Sequence, residues 1–207
     1  MTEMTAVVER GEMRAAPTPE GLEAIHAPEV AVSVWRRSLD PSLARWLDAQ
    51  PGARIPQARF IAPVSAMPEA LGSALDDLPA GPERDALAAD MADLAQRFAG
   101  IAVASQVRVR IDAVKDDACR KFHQDSVALR LLCTYRGPAT EWGYAEPRQA
   151  PEAIRSMNRG EVSIWKGSKW KGGPGHNMVH RSPPIAGAGV VRLLLVVDQA
   201  DPVMDGL

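Results

Sequence analysis

The sequence predicts an antiparallel α+β protein, mainly β in its second half. A helical layer precedes a double-stranded β-helix, the cupin-like jelly roll. Three observations carry this reading. Candidate helices crowd into residues 20–99, while short apolar or alternating segments dominate residues 100–207. No β-α-β alternation appears in the second half, which argues against a parallel sheet. Gly and Pro mark the joints between the late segments, at Gly137-Pro138, Gly172-Gly173-Pro174-Gly175 and Pro183-Pro184.

Residues 1–19 are polar and predict a flexible tail, leaving 20–207 as one domain. Val30–Trp35 has strand character. Asp40-Pro41 then opens a helix, with Asp40 as N-cap and Pro41 in the first turn, running through Leu43, Trp46 and Leu47. Residues 67–78 predict a second helix and 82–98 a third, in which Leu87, Met91, Leu94 and Phe98 form an apolar stripe. Beyond Gly100 the period changes. Between Val103 and Val114, Val107, Val109 and Ile111 alternate with Arg108, Arg110 and Asp112, the pattern of a half-buried strand. Further strands are expected at Ala128–Tyr135, Val162–Trp165, Asn177–His180 and Gly189–Asp198.

A hydrophobic content of 46% and a charged content of 24% are ordinary for a soluble domain. The net charge of -2 argues against a general nucleic-acid binder. Locally the balance differs: Trp165–His180 holds Lys166, Lys169 and Lys171 and no acid, which predicts an anionic or small-molecule partner there. The two cysteines form no Cys-x-x-Cys pair. The first residues lack the apolar core of a signal peptide, and the most apolar run, Gly189–Val197, is too short to span a membrane and contains Arg192. A cytoplasmic protein without membrane contact is expected.

The chemistry is concentrated at His123-x-Asp125, at the mouth of a strand. In extended chain, side chains at i and i+2 leave the same face, so an imidazole and a carboxylate address a common point. That is two thirds of the two-histidine, one-carboxylate set that holds non-haem Fe(II) and leaves other positions open. Two histidines lie downstream, His176 and His180. His180 is preferred because strand-like residues flank it, whereas His176 follows Gly-Gly-Pro-Gly. Arg192 sits inside the last apolar run. If residues 182–189 form a hairpin symmetric about Ala186, His180 and Arg192 become cross-strand neighbours. A buried guanidinium needs a carboxylate, from the protein or from a dicarboxylate ligand. Arg130, within Leu129-Arg-Leu-Leu, is a rival clamp.

These residues carry two resemblances. His-x-Asp, a distal His and an Arg about a dozen residues later are similar to the Fe(II)/2-oxoglutarate-dependent oxygenases. Across residues 119–142 and 161–192, the segments Cys119-x-x-Phe122-His123-x-Asp125, Thr134-Tyr135-x-Gly137-Pro138 and His180-Arg181-Ser182-Pro183-Pro184 resemble a bacterial domain family of unknown function. Its genes often accompany zinc-homeostasis genes. The oxygenase resemblance implies a dioxygenase with Fe(II) on His123, Asp125 and His180, His176 being the competitor for the last place. It implies 2-oxoglutarate on Arg192, or on Arg130, with Thr134, Tyr135 and Ser182 as candidate hydroxyl partners. The alternative is a metal-homeostasis protein in which Cys119 joins the same ligands around Zn, as thiolate ligation favours.

Overall fold

Ten strands and three α-helices, joined by short 3-10 turns, make up the described residues, 11–145, 149–171 and 176–200, of this computed structural model. The helices are α1 (Pro41–Ala49), α2 (Met67–Ala74) and α3 (Pro82–Ala102). The strands are β1 (Glu12–Ala16), β2 (Val30–Trp35), β3 (Ala58–Pro63), β4 (Gln106–Val114), β5 (Leu129–Arg136), β6 (Glu141–Tyr144), β7 (Arg155–Ser156), β8 (Val162–Lys166), β9 (Met178–Arg181) and β10 (Arg192–Gln199). One sheet runs β1-β2-β8-β5-β10-β4-β3 and the other β7-β6-β9. Apart from the parallel β1–β2 pair, the ladders are antiparallel.

From β4 onward the chain crosses repeatedly between the sheets. It leaves the larger sheet after β4, bridges to β9 at His123, returns as β5, crosses to β6 and β7, returns as β8, crosses to β9 and returns as β10. This winding is a double-stranded β-helix. Strand alternation then builds three layers. On β5, Leu129, Leu131, Cys133 and Tyr135 join the core beneath the helices, with Phe98, Leu94 and Met91 of α3. Leu132 faces the other way and packs with Leu194, Val196, Trp142 and Trp165 between the sheets.

Local chemistry explains the helical front. Asp40 accepts hydrogen bonds from the Ser42 and Leu43 backbone N–H groups at 2.8 and 3.2 Å, an N-cap worth about 1 kcal/mol. Helix α3 buries Leu87, Met91, Leu94 and Phe98, and ends at Val103, which adopts a left-handed conformation with φ 50°.

Three expectations are corrected. Residues 11–19 are not tail: β1 pairs with β2, and a 3-10 helix begins at Pro19 (residues 1–10, like the joint at 172–175, lie outside the described ones). Within 20–99, the expected strand at Val30–Trp35 is joined by an unexpected one, β3, and the two extend the larger sheet on either side. The missed strands of this half, β1 and β3, are edge strands with mostly exposed or half-buried side chains. Finally, β9 and β10 are not a hairpin. They belong to opposite sheets, and Arg192 pairs with Val114 rather than His180. Among the described residues, no helix is long and apolar enough to cross a membrane.

Candidate metal centre

His123 and His180 form an isolated antiparallel bridge and exchange both backbone hydrogen bonds, each at 3.0 Å. Residues directly opposed in such a bridge send their side chains to one face. The two rings accordingly lie 4.8 Å apart, and the His180 ring rests 4.7 Å from that of Trp165. Asp125, two residues past His123, turns its carboxylate to the same point. One ligand atom from each of His123, Asp125 and His180 lies within 4.8 Å of the others. The histidine Nε2 atoms stand 3.4 and 3.0 Å from the two carboxylate oxygens.

The protein fixes this set from behind. His123 Nδ1 lies 2.8 Å from the Lys121 carbonyl, which can only accept, so Nδ1 carries a proton and Nε2 is the nitrogen that faces Asp125 and the centre. Arg130 donates from Nη1 to Asp125 Oδ1, while its Nε and Nη2 grip the buried Asp198 at 2.6 and 2.8 Å. Asp125 Oδ2 is left without a hydrogen bond. Burial alone would push the Asp125 carboxyl up, but contacts from His123 and His180 and the charge of Arg130 outweigh it, holding the group far below the usual range. The backbone of the ligand loop docks onto the end of β8. Ser168 N–H donates to the Asp125 carbonyl at 2.8 Å and Gly167 N–H to that of Ala128 at 2.9 Å.

These residues line a cavity of about 500 Å³ between the sheets. Across it from His180, on β10, Arg192 is fully buried. Its Nε donates to the Pro138 carbonyl at 2.6 Å and its Nη1 to Ser182 Oγ, while Nη2 has no hydrogen-bond partner. Burial lowers its pKa to about 10, against the pull of Asp112 and Glu141. An enclosed cation with one donor edge unused is suited to a carboxylate.

The other sequence candidates fall in different places. His176 is turned to the backbone, its Nε2 donating to the Lys166 carbonyl at 3.0 Å and its Nδ1 accepting from Met178 N–H at 3.2 Å. Cys119 lines the cavity but is not among the converging atoms, so the closed four-ligand set with Cys119 is not formed. Arg130 is engaged by Asp125 and Asp198 rather than facing a ligand. Thr134 shares the inward parity of Arg130, yet Thr140 is the threonine that lines the cavity. Tyr135 points to the helical side, where its hydroxyl donates to Asp90 at 2.5 Å. Of the three lysines, Lys166 is buried and donates to the Ala27 carbonyl at 2.7 Å, while Lys169 and Lys171 are exposed. None of them lines the cavity.

Two inward residues escaped the sequence reading as parts of the site. Asp198 is the buried anchor of Arg130, and Arg110 lines the cavity from β4. Their signal was present: alternate positions of β4, β5 and β10 carry Arg108, Arg110, Asp112, Arg130, Arg192 and Asp198. Such polar alternation normally marks a solvent face, but in a barrel it marks the lumen.

Fold and site together define a double-stranded β-helix protein with a candidate facial metal centre. The chain belongs to the family described as a protein of unknown function, DUF1826, whose model matches residues 16–198. No curated protein sequence matches it. Solved structures similar to it include the dioxygenase for auxin oxidation from rice, at 16% identity over 95% of this chain and 85% of that one, with a TM-score of 0.47. The Arabidopsis thaliana counterpart, a complex with 2-oxoglutarate, shares 14% identity over 93% of both chains, with a TM-score of 0.48. IDO from Bacillus thuringiensis shares 10% identity over 87% of this chain and 96% of that one, with a TM-score of 0.45.

Proposed function

We propose that this protein is a mononuclear non-haem Fe(II)- and 2-oxoglutarate-dependent oxygenase. The carrying observation is the pairing, in one cavity, of the His123–Asp125–His180 convergence with the unused Nη2 edge of Arg192. The donor set fits the ion. Two imidazoles and one carboxylate occupy one face and leave the other open, as Fe(II) oxygenase chemistry requires. The exclusion of Cys119 favours an open catalytic site over a closed structural zinc site. The cavity fits the co-substrate as well, since Arg192 and Ser182 offer donors to the distal carboxylate of a dicarboxylic acid.

Bound there, the ion and the keto acid would supply oxygen activation and the oxidising power for C–H cleavage. The protein's own residues do the rest. His123 is held in one tautomer by the Lys121 carbonyl, Arg130 fixes the Asp125 carboxylate, and Arg192 orients the co-substrate. Leu132, Leu194 and Val196 line the cavity with apolar surface that limits water. We place the protein in the cytoplasm, where its thiols would stay reduced.

The test is anaerobic addition of Fe(II) and 2-oxoglutarate to protein purified without a histidine tag. A weak visible charge-transfer band is expected, absent in His180→Ala. Metal bound with no band would favour a zinc-handling role instead.

A further inference from the structure

The cavity has a second cationic end that a keto acid on Arg192 does not use. Arg110 faces the lumen from β4, with its Nε enclosed and without a hydrogen-bond partner. Asp112 stands 3.7 Å from Arg110 Nη2, beyond hydrogen-bond range, and leaves Nε free. The ladder fixes where this end lies: Val196 pairs with Arg110 and Arg192 with Val114. The two arginines are therefore anchored four residues apart along β10, about 13 Å at strand rise. Arg192 is moreover tied to Pro138 and Ser182 at its own end. A five-carbon diacid has four C–C bonds of about 1.5 Å, shorter than this spacing of the two anchors.

Between the two ends the lining holds Leu194 and Val196 on β10 and Leu132 on β5, with Asp112 of β4 opposite Leu194. Of the five basic residues that line the cavity, Arg130 and Arg181 are engaged by Asp125, Asp198 and Glu141, which leaves Arg110, Lys115 and Arg192 against Asp112 and Asp116. Arg130 cannot serve as the second anion site, because Asp125 and Asp198 already engage it.

We propose that Arg110 binds the carboxylate of the primary substrate, a small organic acid whose apolar body lies over Leu132, Leu194 and Val196 towards the metal centre. This deepens the oxygenase reading, on which it rests for the assignment of Arg192 to the co-substrate. Arg110 acts here as a specificity-determining residue. It selects anionic over neutral molecules of equal shape.

Hexanoate and hexanamide, matched in size and differing in charge, are the probes. Binding to the full-length protein is followed through arginine Nε–H resonances, with Arg110 identified by the signal lost in Arg110→Lys. Hexanoate is expected to move the Arg110 resonance at concentrations about tenfold or more below those hexanamide needs, the worth of one charge-assisted hydrogen bond. Arg110→Gln should weaken hexanoate by a similar factor, Arg110→Lys by less, and Arg192→Met should leave it unchanged. Equal binding of acid and amide, or hexanoate affinity that follows Arg192 instead, overturns the assignment. Titration with 2-oxoglutarate in the presence of Fe(II) without oxygen separates the two readings. If Arg192 responds to 2-oxoglutarate but Arg110 ignores hexanoate, only this inference falls. If Arg110 responds to hexanoate but Arg192 ignores 2-oxoglutarate, the oxygenase reading falls and the Arg110 site stands.

Discussion

Gly167 lies against Asp125 so closely that a Cβ on the glycine would sit 2.6 Å from the Asp125 carbonyl oxygen and 2.2 Å from that of Val127. Both contacts are with backbone, which cannot rotate away. Gly167→Ala must therefore displace the loop that carries the carboxylate, although Gly167 ligates nothing. The variant is expected to fold but to lose metal affinity by about 10–100-fold, the usual effect of disturbing the support of a ligand. Calorimetric titration with Fe(II) or Zn(II) checks this. Unchanged affinity would show that the loop position is immaterial to the site.

Arg130 joins the buried carboxylates of Asp125 and Asp198. Removing one partner of such a group strands charge in the interior, so Arg130→Met is expected to destabilise the fold by about 3–5 kcal/mol in denaturant titration. Combining it with Asp198→Leu should recover part of that loss, because one of the two stranded carboxylates goes, although Arg108 loses its contact with Asp198. Metal affinity should stay low in the double variant, since Asp125 is still unsupported.

Ligand-induced stabilisation should separate the two halves of the proposed active site. In Arg192→Met, a divalent metal ion should raise Tm as in the parent, whereas 2-oxoglutarate added with it should give no further rise. In His180→Ala both increments should vanish. A retained 2-oxoglutarate increment in Arg192→Met would move the dicarboxylate site elsewhere.

The two cysteines should differ sharply towards thiol reagents. Cys119 is exposed, whereas Cys133 is buried beneath the helices and burial raises its pKa to about 11, against the pull of Arg37. One thiol per chain is expected to react in native protein at pH 8, and two after unfolding. The sign of the pH effect follows. The folded state retains the Cys133 proton longer than the unfolded state, whose thiol titrates near 9. Stability from this group is thus fully present below pH 9 and declines between pH 9 and 11. Cys133→Ala should flatten that decline in a series of denaturant midpoints.

The sequence made the strongly periodic elements legible. Asp40-Pro41 marks the start of α1, the Leu87–Phe98 stripe marks the body of α3, and the apolar runs mark β5, β8 and β10. It was silent on β1, β3, β6 and β7, which are short or lie at sheet edges; the apolar run Phe60-Ile61-Ala62 in β3 is too brief to mark a strand. His123, Asp125 and His180 could be singled out because residue type and i, i+2 spacing survive without knowledge of strand pairing. The partner of His180 could not. A symmetric connection placed Arg192 beside it, whereas crossing between sheets gives that place to His123 and puts Arg192 on the opposite wall. The lysines misled for a related reason: Lys166 is the last residue of β8 and turns to the Ala27 carbonyl, and sequence charge does not say which face a side chain takes.

The contact between Trp165 and His180 gives the protein an internal optical reporter. With the indole ring 4.7 Å from the imidazole, light emitted by Trp165 comes from beside the candidate metal. An open-shell ion such as Fe(II) should quench that fluorescence at short range, whereas a closed-shell ion such as Zn(II) should leave most of it. In a variant whose other four tryptophans are replaced by phenylalanine, the brightness of Trp165 then distinguishes the two metals in a dilute sample before any turnover is sought.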